Sequence, residues 1–320
     1  MREFITYASP TDTFLSQLLQ WTRKQQRVCF LDSSRHPESS ARSAVHSLIA
    51  VGAQRELMLE EAQGAFDRLK AFHAGADDWL FGYLSYDLKN DVEDLTSLNP
   101  DGVGMPVLHF FQPEWVFLVS ASEVRVGYWT PLHGADDATA LLEEIRQAEP
   151  MPEQAGNQAL HITPRLDRAT YLERVRALQR HIRAGDIYEA NFCQEFFATD
   201  AQLDPYGTYH QLNRHAPSPF SCFYRLNDHY LMCGSPERFL RKRGDRLISQ
   251  PIKGTARRGK TRAEDRQLKA ALQASTKDRS ENVMIVDLVR NDLSRSAAPG
   301  SVTVEELFGI YSFPLRAAVR

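Results

Sequence analysis

KDRSENVMIVDLVRNDL, residues 277–293, decides the fold, because its apolar centre VMIVD reads either as a buried strand or as the middle of a long helix. As a strand it would partner GTARRGKT, residues 254–261, whose glycine and Lys-Thr spacing matches a phosphate-binding loop with Lys260 reaching the terminal phosphates. The neighbouring residues reject that pairing. A phosphate loop is fed by a buried strand, yet the preceding LISQPIK, residues 247–253, is polar and contains Pro251, which cannot donate a hydrogen bond in a central strand. The length and charged flanks of 277–293 suit a helix, which leaves 254–261 without a nucleotide to bind.

Outward from this helix, the sequence alternates strand and helix signals. Residues 28–31, 79–84, 116–119 and 124–129 read as strands, 57–72 and 141–145 as helices, and 32–43 as a Ser-rich loop. The stretch 148–164, rich in Pro, Gln, Gly and Asn, marks a boundary between regions 1–150 and 160–320. Beyond it, Tyr171, Val175, Leu178 and Ile182 fall at helical spacing, with Asp167 as N-cap and Gly185 as stop. Strands are expected at 187–197, 220–226 and 230–233, forming a second sheet, and helices at 268–272 and 283–289.

Composition narrows the function classes. The 320 residues carry 42% hydrophobic and 25% charged side chains, an ordinary globular balance. A net charge of -3 does not call for nucleic acid or an acidic membrane as partner. Residues 238–269 nevertheless hold twelve Lys or Arg against Asp245, Glu264 and Asp265. A solvated surface is the ordinary reading of such a run; a polycarboxylate, phosphate or RNA would also be attracted, and charge alone does not choose. Cys29, Cys193, Cys222 and Cys233 are scattered without a CxxC pair, which points to reduced thiols and away from zinc. With no secretion signal and no long apolar run, the sequence reads as soluble and cytoplasmic.

Four motifs in order identify a relationship: GDIYEANF (185–192), SPERF (235–239), PIKGT (251–255) and ENVMIVDLVRNDL (281–293). Together they resemble the chorismate-utilising enzymes, which include anthranilate, aminodeoxychorismate, isochorismate and salicylate synthases. GYLSYDLKNDVEDL, residues 82–95, is similar to the N-terminal region of the first two branches. The resemblance implies an α+β, layered α/β/β/α fold like that of anthranilate synthase component I. It also implies an anthranilate-synthase-I-like region over 1–150 and a chorismate-binding catalytic region over 160–320.

The residue before the Gly-Thr of PIKGT separates the branches, and the lysine at this position, Lys253, resembles the aminodeoxychorismate synthases. Lysine is a competent nucleophile where burial or nearby cations favour its neutral form, and Arg257, Arg258 and Lys260 are close in sequence. By resemblance, Lys253 adds to the chorismate ring as the 4-hydroxyl departs, ammonia attacks C4, and Lys253 leaves. Glu237 of SPERF matches the acid that protonates the departing hydroxyl. Glu281 matches a ligand of the family's Mg2+, with Asp278 one helical turn before it. Gly254 and Thr255 can present backbone amides to a substrate carboxylate. Asp287, Arg290, Asn291 and Asp292 read as helix caps and ion pairs.

The same resemblance assigns ammonia delivery to a separate glutamine amidotransferase subunit, and offers VCFLDSS, residues 28–34, as the nearest match to a tryptophan-holding strand. Segments resembling PGGSxTGxPK and RGxYxG, which follow the helix in the family, do not occur, and the sequence closes on LRAAVR (315–320) where relatives read like QVHQMIS. The expectation is therefore a catalytic region incomplete at its C-terminus. Anthranilate synthase component I, or an inactive chain that only binds partner or substrate, are the alternative readings.

Overall fold

Every residue of WVFLVS, Trp115–Ser120, is buried, which requires cover on both faces of the strand. The structure, a computed structural model, describes residues 1–8, 13–34, 45–152, 159–313 and 316–319. It divides into two compact units, Met1–Met151 with Tyr209–Arg320, and Pro152–Thr208.

The larger unit opens with β1 (Arg2–Ala8), α1 (Phe14–Thr22), β2 (Arg27–Asp32), β3 (Val45–Val51), β4 (Arg55–Leu59) and α2 (Ala65–Ala74). There follow β5 (Phe81–Leu84), a 3-10 helix (Tyr86–Asp91), β6 (Leu108–Gln112), β7 (Trp115–Ser120), β8 (Glu123–Trp129) and α3 (Ala135–Gln147). Later in the chain β11 (Phe220–Leu226) and β12 (His229–Ser235) return to this body. Seven strands form one sheet in the order β1-β8-β7-β3-β2-β11-β12, and β4-β6-β5 form a smaller one. The pairings in both are antiparallel.

Strand alternation assigns the faces. Cys29, Ala50, Val116, Leu118, Tyr224 and Leu226 of the large sheet meet Phe81 and Phe111 of the small one in a single core. On the opposite face of β7, Phe117 takes the edge of Trp21 from α1, with ring centroids 6.3 Å apart. The apolar stripe Ala138, Leu141, Leu142 and Ile145 of α3 is also buried. Beyond the small sheet, Leu59 and Leu108 pack with Ala65 of α2 and Leu88 of the 3-10 helix. The result is α/β/β/α layering. Arg2 sits inside this body, its guanidinium gripping both oxygens of Asp78 at 2.9 and 2.8 Å and donating to the carbonyls of Glu114 and Gly127.

Two expectations are corrected here. Residues 57–59 belong to β4, not to a helix running to 72, and α2 begins at Ala65. The alternating pattern of β4 is masked by Met and Leu, which suit both element types. Residues 220–226 and 230–233 are strands as expected, but they extend the first sheet through pairing of β11 with β2 instead of founding a second. The Ser-rich loop lies outside the described residues from 35 onward.

The smaller unit contains β9 (Thr163–Pro164), α4 (Arg168–Ala184) and β10 (Phe196–Phe197). Asp167 caps α4 by accepting from the Thr170 amide at 2.8 Å, and Gly185 ends it at φ 81, a left-handed conformation that glycine adopts without strain. Residues 187–195 form no strand, and β10 is only a two-residue pairing with β9. Arg165 secures the unit by an ion pair to Glu195 at 2.7 Å while lying over Phe197. The helix α5 (Pro205–His215) then leads into the larger unit.

The rest of the larger unit is a hairpin of β13 (Arg238–Arg243) and β14 (Arg246–Gln250), followed by β15 (Thr255–Arg257). The helices α6 (Arg262–Ala274) and α7 (Thr276–Ser294) and the strands β16 (Ile310–Ser312) and β17 (Arg316–Val319) complete it. Residues 277–293 are helical within α7, which closes the question of a VMIVD strand. The segment Ala317–Val319 lies in the central strand of a three-stranded sheet ordered β15-β17-β16. Its small side chains let Ala317 and Val319 pack under Leu272 of α6.

Candidate active site

The segment 235–281 brings most of the sequence-nominated residues onto adjoining elements. Glu237 stands between β12 and β13, where Ser235 Oγ accepts from its amide at 3.2 Å. Its carboxylate Oε1 accepts from the Ile252 amide at 2.9 Å. SPERF and PIKGT are thereby joined one residue before Lys253. Lys253 and Gly254 are held in place by their backbone, since the Lys253 amide donates to Val319 O at 3.0 Å and the Val319 amide to Gly254 O at 3.1 Å. These bonds prolong the β15–β17 ladder in which Thr255 faces Ala318. The lysine side chain is half-buried and the Glu237 side chain exposed.

Gly254 is required by two features at once. Its φ is 78, and a Cβ placed there would lie 2.8 Å from the Cβ and Oδ1 of Asp278. Any side chain at 254 would push α7 away from the Lys253 strand. Asp278 is in turn fixed at the start of α7, where Ser275 Oγ accepts from its amide at 3.3 Å. The importance of Asp278 as a packing partner of Gly254 was not legible from the motif, which suggested only its helical relation to Glu281.

Glu281 lies one turn further along α7, partly exposed, with Lys277 at 3.5 Å. Among the described residues no group of three or more His, Cys, Asp or Glu side chains is placed to hold a metal ion. A divalent ion beside Glu281 would therefore have to take most of its oxygens from a bound ligand and water. The next residue, Asn282, is fully buried, and neither its Oδ1 nor its Nδ2 has a partner. Farther down the helix Arg290 pairs with Asp287 at 2.9 Å, the structural role expected of them.

Part of the basic run is answered by its own acids. Arg257 pairs with Glu264 at 2.6 Å, and Asp265 takes Arg258 at 2.7 Å and Lys269 at 2.9 Å. The Arg258 guanidinium, the Gly259 amide and Lys269 hold the Asp265 carboxyl far below the usual range, and Arg257 with the Lys260 amide lowers Glu264. Arg257 and Arg258 are therefore engaged with α6, which removes them as uncompensated cations acting on Lys253. The same contacts dispose of phosphate binding at 254–261. The amides of Gly259 and Lys260 are already bonded to Asp265 and Glu264 at 3.0 and 2.7 Å, and Thr261 caps α6 by accepting from the Glu264 amide.

These elements coincide with a known family model. The model described as chorismate binding enzyme matches residues 18–315. The chain belongs to the chorismate-binding enzyme family. Curated relatives in this family include anthranilate synthase component 1 of Thermus thermophilus, 36% identical over 70% of the chain and 50% of the relative. Another is aminodeoxychorismate synthase component 1 of Klebsiella aerogenes, 35% identical over 73% of the chain and 51% of the relative. The chain thus spans about half the length of the curated relatives it matches.

Solved structures carry the same fold. The menaquinone-specific isochorismate synthase MenF of Escherichia coli aligns with TM-score 0.65 at 13% identity, covering 100% of this chain and 69% of that one. Anthranilate synthase component I of Streptococcus pneumoniae aligns with TM-score 0.64 at 20% identity, covering 99% and 68%. The α+β layering read from the motifs is therefore the family fold. Of its motifs, SPERF, PIKGT and the α7 segment meet in the larger unit, while GDIYEANF belongs to the smaller one. No helix among the described residues is long and apolar enough to cross a membrane.

Proposed function

We propose that this chain carries the amino-transferring chemistry of aminodeoxychorismate synthase component 1, forming 4-amino-4-deoxychorismate and water from chorismate and ammonia. The observation that carries the reading is the attachment of Glu237 to the PIKGT backbone immediately before Lys253. It ties the carboxylate of the proposed acid to the backbone next to the proposed nucleophile. The Lys253 amine bonds to the ring as the 4-hydroxyl departs with a proton from Glu237; ammonia then bonds to C4 and the lysine leaves with its electron pair. Gly254 and Thr255 are the residues whose backbone would present amides to a substrate carboxylate.

Mg2+ would be held by Glu281, and when bound it supplies positive charge to a substrate carboxylate. Ammonia would come from a glutamine amidotransferase subunit. The test is to supply chorismate, ammonium and Mg2+ and to separate products by chromatography. Aminodeoxychorismate formation that disappears in Lys253→Ala supports the proposal; undiminished turnover by that variant removes the nucleophile.

Anthranilate synthase component 1 is the second reading, favoured by the 36% identical relative from Thermus thermophilus. It would yield anthranilate in the same assay. Binding of chorismate or of a glutaminase without either product would leave the chain as a binding module.

A further inference from the structure

His109 on β6 is fully buried between the two sheets, and the chemistry proposed above does not use it. Its Nδ1 lies 2.5 Å from the Tyr224 hydroxyl of β11, and its Nε2 lies 3.0 Å from Glu56 Oε2 of β4. Glu56 is gripped by Arg27 of β2 at 2.6 and 3.1 Å, and Arg27 donates on to Asn227 Oδ1 at 2.5 Å. One hydrogen-bonded chain therefore runs from the seven-stranded sheet, through the imidazole of the three-stranded sheet, and back.

The partners fix the tautomer. A carboxylate only accepts, so Nε2 carries the hydrogen, and Nδ1 is the acceptor for the Tyr224 hydroxyl. We infer that His109 is an acid-sensitive latch: neutral and Nε2-protonated, it binds the small sheet to the large one, and a second proton loosens that contact. A proton on Nδ1 displaces the tyrosine hydrogen from its acceptor. The hydroxyl is then left in an apolar core among Phe111, Cys29 and Leu226, where an unmade hydrogen bond is costly.

The charged and titratable groups facing the imidazole come from each neighbouring strand. Glu56 on β4 favours the imidazolium, Arg27 on β2 opposes it and neutralises Glu56, and Tyr224 on β11 occupies Nδ1. Tyr83 on β5 contributes a ring 6.4 Å away, and burial, helped by the charge of Glu60, pushes its hydroxyl up to about 12, so it stays neutral. Burial is the largest influence on His109 and lowers its pKa despite Glu56. A folded-state value below the unfolded one means that the unfolded chain binds the proton first. The stability contributed by neutral His109 is complete above the ordinary imidazole pKa, about 6.5, and declines as pH falls through and below it.

Two measurements test the latch. In the first, melting temperature is followed from about pH 8 to about pH 5 for the whole chain and for His109→Gln, which keeps a donor and an acceptor but cannot titrate. The wild-type curve should fall away from that of the variant beginning near about pH 6.5, and parallel curves would overturn the inference. The second works on wild-type protein labelled with 15N-histidine, with His109 assigned by the shift it undergoes in Tyr224→Phe. A neutral Nε2–H form with a midpoint below that of free imidazole supports the latch. An Nδ1–H tautomer, or an ordinary or raised midpoint, rejects it whether or not the glutamine variant folds.

Discussion

Two ion pairs in the larger unit are built from the same chemistry and placed in opposite surroundings. Arg2 and Asp78 in the layered N-terminal body have side chains 3% and 1% exposed. Arg246 and Glu305, beside the motif-bearing segment, are 64% and 57% exposed. The first pair is enclosed by two stacked sheets whose core residues are almost wholly out of water. The second lies in a region where α7 buries one residue, Asn282, despite its apolar sequence. The family's catalytic motifs are thus carried on a lightly packed framework held by backbone ladders and polar ties, whereas stability is concentrated in a body that carries none of the nominated catalytic side chains.

That division predicts that the largest effect on activity and the largest effect on folding arise from different regions. Lys253→Ala should reduce aminodeoxychorismate formation to background while leaving the backbone bond of residue 253 to β17 available. Glu237→Gln should lower turnover by about 10²- to 10⁴-fold, the usual worth of a positioned acid. Asp78→Ala should do the opposite. Leaving the Arg2 guanidinium buried and unpaired costs about 3–5 kcal/mol, measurable as a lower denaturation midpoint, and a change within error would mean that the two regions are not energetically distinct.

Gly254→Ala probes the seam between activity and packing. The added methyl meets Asp278 and forces a left-handed φ on alanine, a combination expected to cost more than about 1 kcal/mol. Adding Asp278→Gly should recover the steric part and leave the backbone part. A double variant no better than Gly254→Ala alone would show that α7 does not press on this strand. Activity is the more sensitive readout, because a small displacement of Lys253 matters to chemistry before it matters to folding.

Much of this was legible in the residues, but unevenly. The spacing of Tyr171, Val175, Leu178 and Ile182 with Asp167 and Gly185 defines α4 because capping chemistry is local. The length and flanks of 277–293 likewise give α7. The assignment of β11 and β12 to the first sheet was hidden, because pairing between Phe223 and Phe30 joins residues far apart in the chain and leaves no periodic trace. The Gly254–Asp278 contact was hidden for the same reason. GDIYEANF suggested a strand from its apolar and aromatic residues, yet a strand needs a ladder to join, and 187–195 are not in a strand in the structure. The motifs revealed which residue types gather, and only the topology revealed which of them touch.

The smallest predicted effect is also the one that tests the contrast most directly. Arg246→Ala removes an exposed partner of Glu305 at the end of the β13–β14 hairpin. Both groups remain solvated when separated, and holding two long side chains together costs entropy, so the loss should lie between about 0 and 1 kcal/mol and shrink with added salt. The comparable substitution at Asp78 should show little salt dependence because its partner is shielded from solvent. If Arg246→Ala instead destabilised the chain as strongly as Asp78→Ala, the hairpin would have to be an integral part of the folding core. The view of the catalytic segment as a lightly anchored attachment to a stable layered body would then fail.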